Sequence, residues 1–259
     1  MIQPVDVVLL CSDTNSTRAV HAALREQFAS FAVIQEQKVP RKTFLERRVK
    51  QLGKRVVAGQ LAFMGLAVRS LMKRSAPRIA ELRQTHGLSA EPVAGPHVLH
   101  VSSVNAEEAR EHLKALAPKL VIINGTRIIG RKTLACSEAP FINMHAGITP
   151  LYRGVHGGYW AMAERKPELF GSTIHYVDRG IDTGSIIEQV FCRPTPIDTF
   201  VTYPFVQTGN ALPRLLALAE TIVSGAEPPA PTSHDLPSVL RTHPTLSQYV
   251  YNRARFGVR

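Results

Sequence analysis

Cysteine is scarce in this 259-residue chain: Cys11, Cys136 and Cys192 are the only three, scattered without a C-x-x-C spacing, which excludes a disulfide scaffold. No positively charged start leads into an apolar run and a small-residue cleavage site, and the sequence therefore reads as a reduced, cytoplasmic protein. His21, His86, His97, His100, His112, His234 and His243 lack metal-ligand spacing, and no metal is expected. Internal repeats and low-complexity tracts are lacking as well. One apolar stretch, Val56–Val68, has thirteen residues and would span about 20 Å as a helix, too short for the ~30 Å hydrocarbon core of a bilayer. Acidic residues are sparse from Lys38 to His86, where thirteen Lys and Arg stand against Glu46 and Glu81; this segment accounts for the whole formal charge of +11. The remaining chain is neutral.

What is present is the composition of a globular protein, 44% hydrophobic and 20% charged, with enough apolar residues for one good-sized core. Val5–Cys11 is an apolar run of strand length, followed by the polar turn Ser12–Ser16 and a helical pattern through Ala19, Val20, Ala23, Leu24 and Phe28. Further strands are expected at Ser30–Gln35, Lys119–Asn124, Ala139–His145, Ser172–Val177 and Ser185–Phe191. Helices are expected at Glu107–Leu116, with Asn105 as N-cap, and at Gly157–Arg165. This alternation predicts a doubly wound α/β fold, a mostly parallel sheet with helices on both faces. Chemistry in such sheets gathers at the carboxyl ends of the strands, here the turns after Cys11, Asn124 and His145. Residues 1–195 are read as a catalytic domain. Residues 196–259 are read as an accessory helix, about Gly209–Val223, with a Pro-rich stretch at Glu227–Pro231 and a polar tail.

The basic insertion, residues 41–87, is far longer than a crossover needs and reads as two helices. Its apolar middle is bracketed by Arg47, Arg48, Lys50, Lys54 and Arg55 on one side and Arg69, Lys73, Arg74 and Arg78 on the other. Three readings stay open: a hairpin packed on its own domain or on a second copy, a helix lying on an anionic membrane surface, and, with least support, a nucleic-acid grip.

The stretch Phe141–Gly154 carries the chemistry. Asn143 and His145 are two apart on a strand and point the same way, while Asp182 sits in the Gly-bounded turn Gly180–Gly184 and can bring a carboxylate to them. An amide, an imidazole and a carboxylate suit acyl transfer to an amine, which needs donors for a developing oxyanion and a path for the amine proton. Taken with Pro150, Arg153-Gly154 and Ile181-Asp182-Thr183-Gly184, this pattern resembles the folate-dependent formyltransferases. That family includes the glycinamide ribonucleotide, methionyl-tRNA and sugar-nucleotide N-formyltransferases.

The resemblance implies a Rossmann-like formyltransferase fold and 10-formyltetrahydrofolate as co-substrate. Asn143 and His145 would hold the formyl oxygen, and Asp182 would raise the proton affinity of the histidine and accept the amine proton. Arg127, Ile129, Leu134, Val177 and Ile181 would line the pterin pocket, and Pro150, Arg153 and Gly154 would face the acceptor. Two departures bear on the acceptor. His145-Ala146-Gly147-Ile148-Thr149-Pro150 replaces the His-x-Ser-Leu-Leu-Pro of the purine and tRNA enzymes, and Ser12–Ser16 lacks the Gly-rich phosphate cradle of the purine enzyme. The expected acceptor is a small, phosphate-bearing amine, above all an amino-sugar nucleotide. Methionyl-tRNA or another amine, and an idle binding module of the same fold, are the alternatives. The insertion would place such an enzyme at the inner membrane face or join two copies as a homodimer; nucleic acid is not the expected partner.

Overall fold

A computed structural model describes residues 3–228, 230–232 and 236–259; Pro229, within the Pro-rich stretch, and His234 lie outside the described residues. Strand β1 (Val7–Cys11) leads through helix α1 (Asn15–Gln27) to β2 (Phe31–Glu36). Helix α2 (Arg41–Leu52) turns at Gly53 into one long helix, made of α3 (Lys54–Ala62), a π-helical stretch at Phe63–Val68 and α4 (Arg69–His86). Then follow β3 (Val98–Val101), α5 (Glu107–Leu116), β4 (Leu120–Asn124), the single-turn α6 (Arg131–Leu134) and β5 (Phe141–His145). The chain continues through β6 (Arg153–Gly154), α7 (Gly157–Ala163), β7 (Gly171–Tyr176) and β8 (Ile186–Phe191) to α8 (Tyr203–Val223), β9 (Leu240–Arg241) and α9 (Leu246–Phe256).

The sheet has the order β3-β2-β1-β4-β5-β7-β8, its first five strands parallel and β7 and β8 antiparallel. Its layers follow from strand periodicity. Val7, Leu9 and Cys11 face one way, into a core shared with Ala19, Val20 and Leu24 of α1 and Leu212 and Leu215 of α8. Val8 and Leu10 face the other way, onto Ala109, Leu113 and Leu116 of α5. Both faces are covered, which is why the strands read as continuous apolar runs. The strand order reverses between β1 and β4, and the crevice beyond their carboxyl ends is where such a sheet accepts ligands.

The insertion packs on its own chain. Phe63 is fully buried against Phe200 and Tyr249, and the Arg78 guanidinium makes two bonds to Asp198, at 2.9 and 3.1 Å. The thirteen-residue apolar stretch proves to be part of a longer helix: Lys54–Arg74 reaches a mean hydropathy of 1.2 and is, by length and composition alone, long enough to cross a membrane. The expectation that it is too short is corrected to that extent, although the basic residues inside the segment and the packing of Phe63 and Leu71 lay it along the protein.

Three local expectations are revised. Ala106, not Asn105, caps α5; Asn105 instead donates to the Ile128 carbonyl and accepts from Gly130 N and Thr133 Oγ1. Helix α8 begins six residues before Gly209, with Pro204 in its first turn. The stretch read as a polar tail contains α9, opened by a capping box in which Thr245 and Gln248 bond reciprocally.

Burial holds three histidine rings neutral: His21 is pushed down to about 4, and His156 and His243, whose rings are hydrogen-bonded at 2.9 Å, to about 3 and about 4. Below the ordinary histidine value of 6.5 the unfolded chain takes up protons that these rings refuse, so stability is lost as the pH falls from 6.5 towards 4. The urea midpoint is expected to drop steadily over that window. A midpoint that stays flat from pH 7 to 4.5 would contradict the buried neutral rings.

Candidate active site

Strands β5 and β7 build the floor of the site. Their antiparallel register sets Asn143 opposite His175 and His145 opposite Thr173, so four polar side chains meet on one face. Asp182 completes the group from the turn after β7, in a left-handed conformation with φ 51° that Asp tolerates better than most residues. Its Oδ2 accepts a hydrogen bond from Gly154 N at 2.9 Å and lies 3.3 Å from His145 Nδ1. Its Oδ1 accepts from Asn143 Nδ2 at 3.4 Å and lies 3.6 Å from His175 Nε2. The three residues singled out from the sequence are thus brought together around one carboxylate.

The partners fix the protons. His175 Nδ1 faces the Tyr176 carbonyl at 2.7 Å and must donate to it, leaving Nε2 to accept from Asn143 Nδ2 at 3.2 Å. His145 Nε2 likewise faces the Tyr152 carbonyl at 2.7 Å and carries a proton, so its contact with Asp182 through Nδ1 is favourable when the pair holds one further proton. Burial pulls His145 towards its neutral form and Asp182 opposes that pull. Asp182 is itself lowered to about 2: burial would raise it, and the His145 imidazole and the Gly154 amide outweigh burial. His145 and Asp182 therefore titrate as a unit that can take up or release a single proton.

The loop after β5 is held from two sides. Thr173 Oγ1 donates to the Gly147 carbonyl and accepts from Thr149 N, while Gln189 Nε2 donates to the Thr149 carbonyl. Across the loop, β6 pairs in parallel with β9, Arg153 N donates to the Val239 carbonyl and Val155 N to the Arg241 carbonyl. A β-carbon on Gly154 would sit 2.3 Å from the Arg241 carbonyl oxygen, so glycine is required for the strap formed by residues 236–243 to lie this close. The strap is tied in turn to the insertion, where Gln60 Nε2 donates to the His243 carbonyl at 2.7 Å. The sequence offered no sign of this strap; His175, opposite Asn143 on β7, is the remaining member of the cluster.

The other candidate residues fall as follows. The Arg127 guanidinium pairs with the buried Glu36 at 2.6 Å and donates to the carbonyls of Gln37 and Ser102, so its charge braces the ends of β2 and β3. Ile129 is buried in the α5-side core, with Leu134 and Val177 partly buried against it. Ile128 and Ile181 are 56% and 37% exposed, Ile181 next to Asp182 in the turn after β7. Arg153 donates through Nη1 to the Ile181 carbonyl, and its buried Nε has no partner among the described residues. Pro150, whose peptide bond with Thr149 is cis, accepts from Val239 N. Asp178 accepts from Gly180 N and Thr183 Oγ1 and shapes the turn that presents Asp182. At the first turn, Ser16 and Thr17 donate to the Asn124 side chain, and Asp13 pairs with Arg18 and Lys38, an arrangement that leaves a carboxylate beside the start of α1.

The sequence profile of the formyl transferase family matches residues 2–204, and the chain belongs to that family. A relative named methionyl-tRNA formyltransferase, from Anaeromyxobacter dehalogenans, is 33% identical over 154 residues, which are 59% of this chain and 46% of the relative. One from Desulfotalea psychrophila is 34% identical over 107 residues, 41% of this chain and 33% of the relative, so the match spans between a third and about half of these proteins. Among solved structures, the N-formyltransferase from Helicobacter canadensis, in complex with folinic acid and dTDP-3-aminofucose, superimposes with a TM-score of 0.55 at 15% identity, covering 92% of this chain and 70% of that one. The phosphoribosylglycinamide formyltransferase from Anaplasma phagocytophilum gives a TM-score of 0.56 at 15% identity, covering 92% and 98%. The α/β fold and the family expected from the motif are thereby borne out.

The departure at Gly147 has a steric reason in this chain. A β-carbon there would lie 2.4 Å from the Tyr152 carbonyl oxygen and 2.7 Å from His145 Nε2, the two atoms whose bond orients the imidazole. Gly147→Ala is expected to destabilise the fold by about 1–3 kcal/mol through overpacking and to displace His145. Thermal unfolding checks the first effect, and an unchanged melting temperature would contradict it.

Proposed function

We propose that this chain transfers the formyl group of 10-formyltetrahydrofolate to a primary amine of a small phosphate-bearing molecule, with an amino-sugar nucleotide as the favoured acceptor. The observation that carries the reading is the Asp182 carboxylate, which meets Asn143, His145 and the Gly154 amide at once. The folate supplies an activated one-carbon carbonyl. Asn143 Nδ2–H, exchanging its bond to His175 Nε2 for one to the formyl oxygen, and the positive charge of the protonated His145 imidazole would stabilise the charge that builds on that oxygen as the amine attacks. The attacking nitrogen gains a positive charge and must lose a proton before the old C–N bond breaks. Asp182, ionised and joined to His145, is the acceptor, and the pair returns a proton to the departing nitrogen.

In this reading Arg153 holds the acceptor phosphate, which is supported by its having a single side-chain hydrogen bond among the described residues, Nη1 to the Ile181 carbonyl. The lack of a Gly-rich cradle in Ser12–Ser16 speaks against a phosphate at the first turn, and hence against glycinamide ribonucleotide. The relatives named methionyl-tRNA formyltransferase support a second reading, in which the acceptor is methionyl-tRNA and the basic insertion grips its phosphates.

Tetrahydrofolate release measured against a panel of amino-sugar nucleotides, other primary amines and methionyl-tRNA decides among these. Turnover with a sugar nucleotide is expected. Turnover with methionyl-tRNA alone favours the second reading, and none with any amine leaves an idle module of this fold. With the active acceptor, Asn143→Ala, His145→Ala and Asp182→Asn are each expected to lower turnover by at least about 100-fold, since each removes a donor or the proton acceptor. A rate near that of the unaltered chain would overturn the role of the residue concerned.

A further inference from the structure

The face of the helical insertion turned away from the core is of mixed character. Val56, Leu61, Met64, Leu66 and Met72 are 38–66% exposed, and Phe44 of α2 is 45% exposed. Six large apolar side chains left exposed along one insertion are more than scattered surface residues account for. From Arg47 to Ala80 the sequence has nine Lys and Arg and no acid. Seven of these, Arg47, Lys50, Lys54, Arg55, Arg69, Lys73 and Arg74, are exposed and make no ion pair among the described residues. A cleft of about 410 Å³ opens between α4 and the C-terminal residues, lined by Arg74, Arg253 and Arg259 together with Arg78, which is paired with Asp198 and with Glu81, the one acid of the lining.

We infer that this face docks on an anionic lipid bilayer, with the exposed apolar side chains entering the headgroup boundary, the exposed cations meeting lipid phosphates and the arginine-lined cleft accepting a headgroup. Charge complementarity selects this occupant. A second copy of the chain would set the same seven unpaired cations against one another. A nucleic acid would satisfy the cations but leave Leu61, Met64 and Leu66 in water. An anionic bilayer satisfies both halves of the face, since a helix of this make-up lies in the interface with its apolar side about 5–10 Å deep. The core-facing side of the same helix is already occupied, because Phe63 and Leu71 are buried and Gln60 is bonded to the strap. The helix therefore lies on the surface without crossing it.

Flotation with extruded vesicles tests this independently of catalysis. The full chain is expected to float with vesicles containing 30% phosphatidylglycerol, to remain behind with pure phosphatidylcholine, and to be released by 0.5 M NaCl. Leu66→Glu combined with Met64→Glu, both at exposed positions, is expected to weaken binding at least about tenfold. Lys73→Glu and Arg69→Glu are each expected to weaken it about fivefold or more, as for loss of a cation near an anionic surface. Formyl transfer in solution should be unchanged in all of these variants. Absence of flotation at physiological ionic strength overturns the proposal. So does undiminished binding by the Leu66/Met64 variant, or dissociation from vesicles when a molar equivalent of tRNA is added. A concentration-dependent dimer abolished by the same apolar substitutions would assign the face to a second copy instead.

Discussion

Four stretches of backbone meet at the carboxylate of Asp182. Strands β5 and β7 bring Asn143, His145 and His175 to it, the loop after β5 brings the Gly154 amide, and the left-handed turn after β7 carries the carboxylate itself. Placing a charge where its side chain is only 13% exposed is costly unless donors replace the lost water. Here the donors are an amide of the loop, an amide side chain of the sheet and an imidazole that shares a proton, so the burial that would neutralise the acid instead fixes its position. The same contacts that stabilise the ion define where an oxyanion and an ammonium can be accommodated, and the geometry of the fold and of the chemistry are therefore one set of distances.

That arrangement depends on chain segments far from it in sequence. Gly154 reaches Asp182 because β6 is held by β9, and the strap that holds it is anchored on both sides. Arg241 pairs with Glu164 of the turn after α7 and lies over the rings of Tyr152 and Trp160, whose indole donates to the Thr242 carbonyl. On its other side the strap is bonded to Gln60 of the long helix, and His243 shares a hydrogen bond with His156 at the start of α7. A continuous series of backbone and side-chain contacts thus runs from the basic insertion through the strap to the carboxylate. The C-terminal residues are in this sense part of the loop that carries Arg153 and Gly154, although some ninety residues separate them in the chain.

How much of this the sequence discloses follows from the range of the interactions. The strands of the sheet are legible because burial on both faces demands continuous apolar runs such as Val7–Cys11 and Leu120–Asn124. Asn143, His145 and Asp182 are legible because their chemistry constrains their types and order. Strand β3 was passed over because Val98–Val101 is partly exposed at the edge of the sheet and includes His100. Helix α9 was missed because Leu246–Phe256 buries chiefly Tyr249 and leaves Val250, Tyr251 and Phe256 exposed, so its apolar residues do not mark one buried face. The strap was invisible for a different reason: its pairing with Arg153-Gly154 runs through backbone groups, which any residue supplies. Arg127 illustrates the converse. Its type and place suggest a ligand-facing cation, yet Glu36, buried two strands away, engages the guanidinium, and no local pattern could announce that partner.

The distribution of charge separates two tasks within one chain. Outside Lys38–His86 the chain has as many acids as cations, and several of its acids meet particular cations: Asp13 with Arg18, Asp198 with Arg78, Glu36 with Arg127 and Glu188 with Arg214. Within the insertion most cations have no such partner. A protein that needed only to pack a helical hairpin against Phe200 and Tyr249 could do so with an ordinary mixture of surface charges, since Phe63 and Leu71 make the packing contacts. Self-repulsion among unpaired cations costs stability, and the cost is largest at low ionic strength. A pattern that removes every acid from thirty-four consecutive residues while keeping large apolar side chains in water is disfavoured by the fold taken alone. Docking on an anionic bilayer, as proposed above, would supply a compensation that is both anionic and apolar.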